Sequence, residues 1–84
     1  MTKLPPFNAT ATEKDQQESI EIDEITLHAT PEAFRALGIF FLNAAHEMDL
    51  NESDHIHLQD SVQNFSSKKH CDIILLNKKI IKHN

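Results

Sequence analysis

A single stretch, residues 30–50 (TPEAFRALGIFFLNAAHEMDL), dictates what can be built around it, because it alone is long and periodic enough to demand a helix. Thr30 can cap the first turn by accepting from its unpaired backbone N–H groups. Pro31 follows at the first helical position, where its missing N–H costs nothing, and Glu32 puts a negative charge at the positive end of the macrodipole. At about 100° per residue, Ala33, Phe34, Leu37, Phe40, Phe41, Ala44, Ala45 and Met48 form one broad apolar stripe. Arg35, Asn43, His46 and Glu47 lie opposite. Gly38 falls inside the arc read as buried, where the absence of a side chain would let a strand approach closely. Ile39 interrupts the polar face and Leu42 sits at the edge of the apolar one. These two are candidate contacts with a second chain, against the simpler reading that an isolated exposed apolar residue is ordinary.

The stripe needs a partner, and the flanking runs read as strands. Residues 19–29 (SIEIDEITLHA) alternate as Ile20, Ile22, then slip phase near Asp23-Glu24 and resume as Ile25, Leu27, Ala29. That slip predicts one bulged strand or two short ones. Residues 55–60 (HIHLQD) place Ile56 and Leu58 on one face and His55, His57 and Gln59 on the other. Residues 71–77 (CDIILLN) contain four consecutive aliphatics, which predicts a central strand covered on both faces. Residues 61–70 read as a loop anchored by Val62 and Phe65, and residues 79–82 as a final edge strand. The expected fold class is α+β: a small, mostly antiparallel sheet with one α-helix packed across one face, in the order β(β)-α-β-β. Residues 1–18, polar and with Pro5-Pro6, are expected to be a disordered or loosely packed lead-in, and residues 19–84 a single domain.

Composition narrows the function. Residues 1–60 carry three basic and twelve acidic groups, and residues 61–84 five basic and one acidic, so a body of −9 joins a tail of +4. An acidic body argues against nucleic acid and suits either plain solubility or a basic protein partner. One cysteine, Cys71, excludes an internal disulfide and fits a reducing compartment. There is no apolar run of the roughly 20 residues that spans a bilayer and no apolar signal-peptide core, so a soluble, cytoplasmic protein without a membrane partner is expected.

The chemistry-bearing groupings are few. With one glycine, no phosphate-cradling loop is available. Asp49, Asn51 and Ser53 imitate the opening of an EF-hand loop, but its sixth position, which requires Gly, is Asp54. His70 and Cys71, neighbours on a strand, point to opposite faces and cannot form a nucleophilic pair. His55 and His57 lie on one side of a strand, about 6–7 Å apart, and His28 would join them on an adjacent strand. Three readings stay open for this group: a zinc site with an open position, a partner-binding or dimer face, or ordinary exposed histidines. No cofactor and no catalytic residue is assigned, and the chain is read as non-enzymatic.

The segments Leu27-His28, Thr30-Pro31-Glu32, Leu37, His55-Ile56-His57-Leu58 and residues 72–76 resemble the small bacterial immunity proteins grouped as immunity protein 32. The likeness spans residues 25–77. It implies a cytoplasmic protein that binds and neutralises a cognate bacterial toxin domain, with His28, His55 and His57 and the acidic turn at Glu52 and Asp54 as partner-binding residues. The alternative is a homodimeric metal-binding or sensory module using the same histidines. A plain homodimer joined along the sheet face, Ile80-Ile81 or Ile39 is a third reading.

Overall fold

The computed structural model describes residues 3–81. Its elements run β1 (Thr10–Thr12), β2 (Ser19–Glu21), α1 (Pro31–Asn51), β3 (His55–His57), a 3-10 turn (Leu58–Asp60) and β4 (Ile74–Leu76). The α+β class and the β-β-α-β-β order are as expected, but the strands form two separate antiparallel pairs, β1 with β2 and β3 with β4.

The helix starts where its sequence says. The Thr30 hydroxyl accepts from the Ala33 N–H at 3.2 Å, and Pro31 opens the first turn. It ends at Glu52, whose left-handed backbone (φ 53°, ψ 34°) turns the chain toward β3. Phe40 and Ala44 are buried and Ala33, Leu37 and Met48 half-buried, so one strip of the expected stripe packs. Phe34 and Phe41, on its flank, stay exposed. Gly38 corrects the expectation of a close strand: it is exposed, and nothing lies within 4 Å of where its Cβ would be.

The β3–β4 ladder pairs His55 with Leu76, Ile56 with Leu75 and His57 with Ile74. Ile56 and Leu75 are half-buried, and Ile56 lines a groove of about 330 Å³ with Ala36, Ile39, Phe40 and Ala44 of α1. That face of the hairpin therefore packs on the helix. Leu58, at the start of the 3-10 turn, is the third buried apolar residue and donates its N–H to Ile73 O at 2.9 Å. Asn77 closes the other end twice: its N–H donates to Asp54 O at 2.9 Å and its Nδ2 to Ser53 O at 3.1 Å.

Three strand expectations are corrected. β4 is not a covered central strand; it pairs with β3 alone among the described residues, and Ile74 and Leu76 are 53% and 59% exposed. Residues 24–29 form no strand and have no sheet partner, leaving Ile25 and Leu27 59% and 51% exposed. The first ladder ends at Thr10 and Glu21, and its register offers Ile25 and Thr26 no partner with an N–H. Continued beyond Thr10 and Glu21, it would set Ile25 against Pro6 and Thr26 against Pro5, which have no N–H to give. The sequence reading also placed no strand at Thr10–Thr12, although two β-branched threonines suit one. The edge strand expected over residues 79–82 falls partly outside the described residues; within them, the N–H groups of Ile80 and Ile81 donate to Asn77 O and make a turn.

Candidate functional site

The open face of the β3–β4 hairpin is set by its register. Directly opposed residues in an antiparallel pair share a face, so with Ile56 and Leu75 toward the helix, His55, His57, Ile74 and Leu76 lie together on the other side. Asn77 N–H to Asp54 O and Leu58 N–H to Ile73 O mark the hydrogen-bonded positions. The His55–Leu76 and His57–Ile74 pairs are then the closer, non-hydrogen-bonded kind, with imidazole and aliphatic side chains adjacent.

The two imidazoles meet edge to face, with centroids 5.4 Å apart and planes at 78°. Each is held by a carboxylate. Asp54 Oδ1 lies 2.8 Å from His55 Nδ1, and Asp72 Oδ2 lies 2.9 Å from His57 Nδ1. A carboxylate can only accept, so each Nδ1 carries a proton toward its aspartate, which turns each Nε2 edge outward. Asp72 also accepts the Gln59 N–H on Oδ1 at 2.9 Å, which fastens the start of β4 to the end of β3. Burial pushes the Asp72 carboxyl up, but the Gln59 N–H and the His57 ring outweigh it and hold the group below its ordinary value. Asp54 is held low chiefly by the hydrogen bond from His55.

His55 and His57 thus come together as their spacing predicts, and Asp54 of the acidic turn joins them. Glu52 is exposed two residues before Asp54, at the end of α1. His28 is exposed on the unpaired segment 24–29, and among the described residues no three metal-ligating side chains gather, so the three-imidazole arrangement does not form. Ile39 lines the groove beside the hairpin and is exposed, as is Leu42 on the outer side of α1. Asp72, Ile74 and Leu76 escaped the sequence reading. Pairing residues 55–60 with 71–77 as a hairpin would have set Asp72 beside Gln59, two positions from His57. Cys71 is exposed, with its thiol toward Asp72 O. No helix among the described residues is long and apolar enough to cross a membrane.

No curated protein and no solved structure matches the chain. A family model does: immunity protein 32 matches residues 24–79, which takes in α1, both strands of the second hairpin and the His-bearing face. With two-thirds of its length under that match, and with the helix start and the His-X-His strand where the resemblance puts them, the chain belongs to the immunity protein 32 family.

Proposed function

We propose that this protein is a non-enzymatic, cytoplasmic inhibitor that captures a cognate bacterial toxin domain on the open face of the β3–β4 hairpin. The observation that carries the reading is β4 itself, a strand apolar on both faces with a helix covering only one. Apolar side chains ringed by polar groups are the usual centre of a protein-binding patch. Here Ile74 and Leu76 supply the apolar area, and His55 and His57 supply oriented hydrogen-bonding edges. Glu52 and Asp54 add negative charge at the rim, which speeds the approach of a basic partner more than it tightens the complex. His28 reaches the same partner only from the separate segment 24–29.

The test is capture of the tagged protein from its own cells, with bound proteins identified by mass spectrometry. Recovery of a protein carrying a toxin domain supports the reading. Its affinity for the H55A/H57A variant is then expected to fall by more than about tenfold, or about 1.4 kcal/mol. Recovery of no such protein overturns the function, and unchanged affinity in the double variant overturns the site.

A further inference from the structure

The isolated chain is under-buried. It exposes 8049 Å², some 3,000 Å² more than the roughly 5,100 Å² of a compact monomer of 9.6 kDa. Its radius of gyration, 13.7 Å, likewise exceeds the roughly 12 Å expected of a compact domain of this length. Stable protein interfaces bury about 1,200–2,000 Å² in total, so the excess is more than one interface requires.

Two unsatisfied features complement each other. Residues 24–29 carry a strand's alternation without a sheet: Ile25, Leu27 and Ala29 alternate, the segment holds no helix, turn or bend, and it makes no backbone hydrogen bond to another part of the chain among the described residues. β4 is a sheet edge without a strand. The N–H and C=O groups of Ile74 and Leu76 point away from β3, since the inward positions are those in register with Ile73 and Asn77. Charge matches as well. Asp23 precedes the segment, Glu24 opens it, and Lys78 and Lys79 follow β4, so antiparallel pairing brings them together. Among the described residues none of these four is ion-paired; the two carboxylate pairs present involve histidines. The helix has a matching gap. The groove beside the hairpin is lined by Ile56 of β3 and by no residue of β4, and Phe34 and Phe41 are exposed on α1 outside that groove.

We propose that residues 24–29 of a second copy of this chain pair with the outer edge of β4, laying Ile25 and Leu27 against Phe34 and Phe41. The reciprocal pairing closes a two-fold homodimer. This exchange uses the edge of β4 and leaves its open face, with His55 and His57, for another partner.

Sedimentation equilibrium of the full chain without any toxin tests it, so the result stands apart from the inhibitor reading. The expected mass is about 19 kDa, twice that of the chain. The variants I25E/L27E and L76P, the second of which removes an outward N–H of β4 and none of its bonds to β3, are each expected to be monomeric, and their equimolar mixture to dimerise, because the mixed pair keeps one intact strand-to-edge junction. K78E/K79E, which alters only exposed side chains, is expected to weaken the wild-type dimer by about tenfold at low salt. A wild-type monomer overturns the proposal, including one whose 24–29 amides resist hydrogen exchange, which would put the segment on its own β4. A dimer that survives both edge variants, a mixture that stays monomeric, or an unaffected K78E/K79E dimer overturns it too.

Discussion

Asp72→Asn removes one charge and leaves the side-chain shape intact. In the wild type the carboxylate accepts from Gln59 N–H and from His57 Nδ1, both at 2.9 Å, with the side chain 24% exposed. The amide keeps one acceptor oxygen, so one of the two donors loses its partner and the other loses charge assistance. Hydrogen bonds to charged groups contribute about 1.5–3 kcal/mol each, and partial solvent access at both ends reduces that. A net loss of about 1–2 kcal/mol follows, a large share of the stability of a small domain. Urea unfolding followed by far-UV circular dichroism reads it directly as a shift in midpoint without a change in slope. The pH dependence supplies a second check. Asp72 is held below its unfolded value, so its contribution is complete above about pH 4 and disappears as pH falls through the lower folded value. Below that value wild type and D72N should converge. Equal stabilities at neutral pH, or a gap that persists into strong acid, would refute the account of Asp72 as the tie between the strands.

Two further changes test the helix. Gly38→Ala should stabilise the protein by about 0.5–1 kcal/mol, because the site is open and helical and Ala loses less backbone entropy; thermal unfolding checks it, and a destabilised variant would mean that something packs there. Thr30→Ala should destabilise by about 1 kcal/mol through loss of the Oγ1 acceptor for Ala33, read by the same unfolding assay, with no change showing the cap to be idle.

The helix was legible to within a residue because its signals are local: a cap, a proline at the first position and a continuous apolar period. The His55–His57 pairing was legible for the same reason, since residues two apart on a strand always share a face. What was not legible depends on which strand lies beside which. Residues 24–29 carry a strand's alternation but lack a sheet neighbour, because the first ladder already ends at Thr10 and Glu21. β4 carries the composition of a doubly covered strand, yet its own chain covers only one face. Asp72 stands outside both strands, and only the hairpin register sets it against Gln59 and His57. Gly38 was misread because half of the Phe-rich stripe has nothing packed on it.

Asn77 has a consequence for recognition. By bonding both Ser53 O and Asp54 O, it locks the end of α1 to the end of β4 across 24 residues of sequence. The backbone at Ser53 and Asp54 is thereby tied down, and the hydrogen bond between Asp54 and His55 holds two side chains of the same corner. Ordering a side chain on association costs about 0.5–1.5 kcal/mol, and a corner already fixed removes much of that penalty before any encounter. Stiffness of this kind favours selectivity: a surface that cannot adjust rewards the one shape it fits and penalises close relatives of that shape.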